Sequence, residues 1–295
     1  MQRHPLFFAY LALAAVSFFW GTTYLGIRVA LESFPPLVLV ATRFLLSGSI
    51  LLAVAKLRGD ALPGRAETLR TALNGLLILG VANGALTFAE TKIPSGLAAL
   101  FVTTAPFWLA GMDAIVPGGD KLRPATLGGM LVGFAGVALL VAPDTIGEHA
   151  NAATLAGFLI LQGGNSAWTL GSILQRRMTS TVHPVVSGAV QQFAAGGVYT
   201  VLALLFNHEP VRWSAQGIVA LLYLVTFGSI VGFSAYLIAL ARLPVPIVSI
   251  YTYINPVVAV SLGWLFYREP FGWHETGAML VIFLGVWLVK RFGGK

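Results

Sequence analysis

Cysteine is absent from the 295 residues, which excludes disulfides, thiol catalysis and cysteine-ligated metal or iron–sulfur sites. Charge is scarce as well. Asp, Glu, Lys and Arg make up 10% of the chain, against about 25% in a soluble globular domain. The histidine-glutamate pairs do not form a zinc motif: His208-Glu209 runs into Pro210, and His274-Glu275 has no second histidine at the required spacing. A Gly-rich phosphate loop is missing, and no two acids face each other within the apolar runs. Zinc hydrolysis, ATP-driven work and intramembrane aspartyl chemistry are therefore not expected, and neither is a cofactor.

What is present is hydrophobic: 57% of the residues, with mean hydropathy +0.83. A helix needs about 20 mostly apolar residues to cross a hydrocarbon core of roughly 30 Å, because there it must satisfy its own backbone. Ten such runs are predicted, near 6–28, 35–56, 70–89, 94–116, 124–142, 153–175, 184–206, 215–240, 244–266 and 271–290. They are continuous rather than alternating, so a barrel is not expected. The first run is too long for a cleaved signal and is read as a retained helix. The fold class is an all-α polytopic membrane protein.

The formal charge of +7 is unevenly placed. With a cytoplasmic N-terminus, thirteen Lys and Arg residues fall on the inner side, and only Arg28, Lys92, Arg212 and Arg268 on the outer. Loop lysines and arginines stay in the cytoplasm, so both termini are expected there. This basicity has a membrane explanation and does not imply nucleic acid.

A shift of 148 residues superimposes Trp20 on Trp168, Arg28 on Arg176, Pro36 on Pro184 and Gly48 on Gly196. Further along, a shift of 150 pairs Pro94 with Pro244 and Pro106 with Pro256, and a shift of 149 pairs Asp120 with Glu269, Gly128 with Gly277 and Gly136 with Gly285. Two repeats, 1–146 and 147–295, each holding five spans, are thus expected. An odd number of crossings makes the second enter from the opposite side, an inverted arrangement typical of secondary transporters.

The motifs "FFWGTTYLGIRVA", "TTAPFW", "YINPVV" and "YREPFGWHETGAMLVIFLGVWLV" carry a resemblance over essentially the whole chain. It resembles the EamA-type drug/metabolite transporter superfamily, and within it the bacterial aromatic amino acid exporters of the YddG type. The resemblance implies an inner-membrane exporter of small metabolites working by alternating access. In such proteins the first and sixth helices contribute to a central cavity. Asp120 stands where the second repeat keeps the more typical Glu269.

Candidate site residues follow from polar and aromatic side chains that lipid does not require. Pro106 and Pro256 fall about twelve residues into spans 4 and 9 and should kink or break them near mid-membrane; paired breaks point to a transporter's binding site. Beside them lie Thr103, Thr104 and Trp108, then Tyr251, Thr252, Tyr253 and Asn255. Ser17, Trp20, Tyr24 and Arg28 share one helical face of span 1; their counterparts are Asn165, Trp168, Ser172 and Arg176 in span 6, which also carries Gln162. Asn83, Thr87 and Phe88 in span 3, and Ser229, Ser234 and Tyr236 in span 8, would complete the cavity. Arg43 is the basic residue well inside a span, its counterpart being Gln191; it either receives a substrate carboxylate or fixes a helix break. Glu90 and Asp113 lie at span ends, so a mid-membrane proton carrier is not evident and movement down the substrate's own gradient is expected. Gly129 and Gly133 have small-xxx-small spacing for close helix packing.

The expected cargo is a small metabolite, foremost an amino acid with an aromatic or apolar side chain. The same cavity chemistry leaves other metabolites, cationic drugs or a channel as alternatives. The partners are that small molecule and the lipid bilayer, and the chain is expected to act as a monomer.

Overall fold

The computed structural model describes residues 5–115, 123–145, 152–243, 245–248, 251–269 and 271–293. Asp120 and Pro244 lie outside the described residues, as do the side chains of Asp113 and Tyr253. Among the described residues every regular element is helical. In chain order these are α1 (Pro5–Leu31), α2 (Pro36–Leu57), α3 (Arg65–Gly75), a π-helical segment π1 (Leu76–Asn83), α4 (Gly84–Ala89), α5 (Ser95–Val102), α6 (Ala105–Ile115) and α7 (Pro124–Thr145). The order then continues with α8 (Ala152–Arg177), α9 (Pro184–Phe206), α10 (Ala215–Tyr223), π2 (Leu224–Phe233), α11 (Ser234–Arg242), α12 (Val245–Val248), α13 (Tyr251–Tyr267) and α14 (Trp273–Gly293).

Among the described residues, six stretches are long and apolar enough to cross a membrane: Leu6–Leu31, Pro36–Leu57, Arg65–Ala89, Ser95–Met112, Pro184–Phe206 and Ala215–Arg242. Shorter apolar helices cover Pro124–Leu139, Ile254–Tyr267 and Trp273–Val289. Helix α8 has the length but carries Gln162, Asn165, Thr169 and Ser172, of which the last three are buried against protein.

The third span begins at Arg65, five residues before the expected start. Glu67 is the reason: its carboxylate accepts from Ser180 Oγ (2.8 Å), Thr181 N (2.9 Å) and Thr181 Oγ1 (2.6 Å), which ties this end to the α8–α9 connection.

Helices α2 and α9 pack so closely that a Cβ on Gly48 would lie 2.6 Å from the Phe193 backbone nitrogen, and one on Gly196 would lie 2.5 Å from that of Leu45. The contact is reciprocal. As the residue number rises along α2 it falls along α9, so the two helices run antiparallel, and the pairs are related by the shift of 148. Helices α7 and α14 repeat the pattern. A Cβ on Gly129 would meet Leu288, one on Gly136 would lie 2.7 Å from the Ile282 nitrogen, and Gly285 abuts Gly133. Small residues let backbones approach where lipid offers no hydrophobic drive for association.

The π segments were not legible in the sequence. They start at Leu76 and Leu224, again 148 residues apart. A π turn widens the helix by one residue and is found at functional sites; both lie beside the cavity described below.

The prolines act differently from one another. Helix α5 ends at Val102, a turn at Thr103–Thr104 follows, and α6 restarts at Ala105 with Pro106 in its first turn, where a missing N–H costs nothing. By contrast, α13 runs unbroken through Pro256. A break at Pro256 itself is therefore corrected. Packing on both sides holds the helix together: α13 lies along α1, where Gly21 admits Val258 so closely that a Cβ would lie 2.6 Å from the valine Cβ.

Candidate functional site

A cavity lies between α1, α2, π1, α8, α13 and the α5–α6 break. Of the residues singled out in the sequence, Trp20, Tyr24, Arg43, Asn83, Asn165, Trp168, Tyr251 and Asn255 line it. Each is placed by an identifiable contact.

Trp20 and Trp168, from equivalent positions of α1 and α8, meet edge to face with centroids 5.3 Å apart. Tyr251 closes on Trp20 at 5.2 Å, and Tyr236 lies 5.2 Å from Trp20 and 5.1 Å from Trp168. Such ring pairs contribute about 0.5–1.5 kcal/mol each beyond burial. Trp20 Nε1 donates to the Gly228 carbonyl in π2 at 3.0 Å. Trp20, Trp168 and Tyr251 form one wall of the cavity, and Tyr236 packs against them. Tyr236 lies behind that wall: it shares a hydrogen bond with Ser172 (2.8 Å) and faces a second, smaller cavity with Trp168 and Tyr251.

Arg43 projects from α2 and is 5% exposed. Its Nε donates to Ser229 Oγ at 2.8 Å and its Nη1 to Asn83 Oδ1 at 3.2 Å. Both partners are neutral, and among the described residues Arg43 forms no ion pair. The guanidinium also lies over the Phe44 ring at 5.1 Å, and with only neutral hydrogen-bond partners it can still receive an anion in the cavity. The site thus presents one cation, an aromatic wall and several amide groups, but no lining carboxylate.

Asn165 donates through Nδ2 to Thr104 Oγ1 (2.9 Å) and to the Phe101 carbonyl (3.2 Å), so it binds the helix break between α5 and α6. Gln162 Oε1 accepts from Thr104 Oγ1 and Trp108 Nε1, both at 2.9 Å. Asn255, oriented so that its nitrogen faces acceptors, donates to the Ser17 carbonyl at 2.8 Å and the Tyr251 carbonyl at 3.1 Å. Thr104, Trp108 and Gln162 therefore stand behind Asn165 and do not line the cavity. Thr87 is buried with its hydroxyl donated back to the Asn83 carbonyl at 3.0 Å, and it too is not in the lining. Thr87 finds its partner within its own helix and Gln162 finds its partners across at the α5–α6 break, choices that sequence spacing does not reveal.

Thr23, Ala82, Leu86, Val102, Ala105, Leu161 and Gly164 also line the cavity. Thr23 could have been found, since it follows Trp20 by three residues on the same helix face. The others are apolar residues like any core residue and give no signal. Gln191, the counterpart of Arg43, points elsewhere: its Nε2 donates to Gln175 Oε1 at 2.5 Å, an oxygen that also accepts from Asn74 Nδ2 at 2.9 Å.

Near α5 the carboxylate of Glu269 accepts from Ser95 N (2.9 Å), Ser95 Oγ (2.8 Å) and Gly96 N (3.0 Å). It caps the helix N-terminus from the α13–α14 connection, where charge and dipole agree. Tyr267 Oη donates to Glu32 at 2.5 Å, and Ser33 bonds Ser214 at 2.7 Å, at the same end of the bundle.

Comparison with known proteins agrees with this architecture. The EamA-like transporter family matches the chain twice, over residues 7–142 and 155–291. The inner membrane transporter YedA of Escherichia coli strain K12 is 37% identical over 290 residues, which is 98% of this chain and 91% of YedA. A second protein of that strain, the "Probable amino-acid metabolite efflux pump", is 26% identical over 276 residues, covering 89% of this chain and 88% of its own. A solved crystal structure superimposes with a TM-score of 0.69 at 22% identity over 95% of each chain, a likeness of fold alone. Matched in both halves and along nearly its full length, the chain is a multi-pass inner-membrane protein that belongs to the EamA-like transporter family.

Proposed function

We propose that the protein exports small carboxylate-bearing metabolites, foremost aromatic and other apolar amino acids, by alternating access around the cavity between two inverted halves. The halves are 1–146 and 147–295, each of five crossings, ten in all, with both termini in the cytoplasm. The antiparallel, reciprocal glycine contacts of α2 with α9 and α7 with α14 support the inversion, since parallel repeats would pair equivalent residues in the same direction. The excess of Lys and Arg on the inner connections supports the orientation.

The observation that carries the substrate class is Arg43, a buried cation without an ion-pair partner among the described residues, on the wall of an aromatic cavity. A guanidinium binds a carboxylate with charge-assisted hydrogen bonds, rings accept an apolar side chain, and the cavity's one cation disfavours a cationic drug. The name of the efflux-pump relative agrees with amino-acid metabolites and with export. Monomers suffice, because the cavity is complete within one chain.

Counterflow tests this reading. Proteoliposomes are preloaded with one unlabelled amino acid at a time, and entry of its labelled form is followed. Saturable counterflow with aromatic or apolar amino acids, weakened in Trp168→Ala and with its saturation displaced to much higher substrate concentration in Arg43→Gln, is expected. Failure with every amino acid would refute the substrate class, and unsaturable flux without counterflow would make the protein a channel.

A further inference from the structure

Glu90 ends the third span, immediately after α4, where its sequence position suggests a solvated carboxylate. The structure buries it completely, at 0% exposure. Neither carboxyl oxygen has a hydrogen-bond partner among the described residues. Its backbone is well held by comparison: its N–H donates to the Leu86 carbonyl at 3.0 Å, and its own carbonyl accepts from Arg28 Nη1 at 3.1 Å.

An ionised carboxylate in such a place would lose its hydration and gain no hydrogen bond, a cost that a buried acid ordinarily avoids by holding a proton. The charged and titratable groups that face it come from three elements. Tyr24 and Arg28 belong to α1, Arg43 to α2 and Glu269 to the α13–α14 connection. The two arginines favour the ionised form and Glu269 opposes it. Glu90 thus interacts electrostatically with both the cation of the cavity and the carboxylate that fastens the start of α5.

We propose that Glu90 is a proton-binding site and that transport is coupled to the proton it carries. In the fastened conformation described here the carboxyl is protonated and shut away from water. When Glu269 releases Ser95 and Gly96 and this end opens, water reaches the carboxyl, the proton can leave, and the carboxylate is stabilised by Arg28. One O–H bond breaks and the proton passes to water; closing reverses the step. Each cycle therefore exchanges a proton as well as cargo, contrary to the sequence expectation of movement on the substrate gradient alone. The coupling rests on the transporter reading above, but the proton site can be tested apart from it.

Proteoliposomes with equal substrate inside and outside are given a pH gradient, and labelled amino acid is followed. The wild type is expected to accumulate substrate against its gradient, whereas Glu90→Gln, fixed in the neutral form, retains counterflow yet loses the pH-driven part. Glu90→Asp, still titratable, should keep pH-driven accumulation with its pH profile displaced. Independently of any cargo, pH-difference infrared spectra of the purified protein should contain the carbonyl stretch of a protonated buried carboxylic acid that is missing in Glu90→Gln. Wild-type counterflow with no pH-driven accumulation, or accumulation that survives in Glu90→Gln, would overturn the coupling. A spectrum unchanged by Glu90→Gln would overturn the site. Absence of counterflow in the wild type would refute the amino-acid reading and leave the infrared result to decide the proton site.

Discussion

The two segments matched by the same family, 7–142 and 155–291, agree in scaffold and differ in chemistry. Their second helices cross through Gly48 and Gly196, their third spans hold π1 and π2, and their first helices contribute Trp20 and Trp168 to one ring contact. Yet Arg43 faces the cavity while its counterpart Gln191 is tied to Gln175. A second asymmetry lies at the start of α5 and at its counterpart in the second segment. Ser95 and Gly96 offer a hydroxyl and two N–H groups to Glu269; the equivalent positions, by the shift of 150, are Val245 and Pro246, which offer no hydroxyl and one N–H. Duplication supplies a symmetric frame, and a few unmatched side chains decide which end is fastened and which wall carries charge.

The largest expected effect comes from forcing the halves to match. Gln191→Arg would bury a second guanidinium in a neutral polar knot, and an uncompensated buried charge costs about 3–5 kcal/mol. Thermal unfolding in detergent should show a much lower midpoint, and an unchanged midpoint would refute the idea that this position tolerates only a neutral amide. Matching in the other direction, Arg43→Gln, should leave folding largely intact while removing a charged partner for the carboxylate. That loss is about 2–5 kcal/mol, so saturation in counterflow should shift by at least about 30-fold.

Glu269→Gln removes the charge from the fastening at Ser95 and Gly96. Hydrogen bonds to a charged group contribute about 1.5–3 kcal/mol each and neutral ones less, so the fastened state should be depopulated. The chain contains no cysteine, which makes Ala82→Cys a clean reporter on the cavity wall. A membrane-impermeant maleimide applied from the outer face should label it several-fold faster in Glu269→Gln, and equal rates would refute the fastening role. The smallest effect is expected for Trp20→Phe, which keeps a ring at the contact with Trp168 and loses the bond to the Gly228 carbonyl. A destabilisation of about 0.5–1.5 kcal/mol and a modest rise in the substrate concentration for half-saturation should result; a null effect on both would make that bond dispensable.

The sequence was informative where a physical constraint repeats along the chain. Apolar runs, the repeat shift and the rarity of Trp made Trp20 and Trp168 visible as a pair, and an arginine within an apolar run made Arg43 conspicuous. It was less informative where a side chain had several partners to choose from. Thr87 satisfies itself on the Asn83 carbonyl, and Thr104, Trp108 and Gln162 bond one another behind Asn165. Helix continuity through Pro256 depended on how α13 packs on α1, which no local pattern encodes.

By itself, then, the sequence determined that the chain is helical and membrane-embedded, because lipid allows no other way to satisfy so apolar a backbone, and that the chain is duplicated. Only the tertiary structure decided which polar groups face the cavity, where the helices widen into π turns and that Glu90 is sealed from water. Those outcomes depend on which helices meet, and that is set by close contacts between residues far apart in the chain.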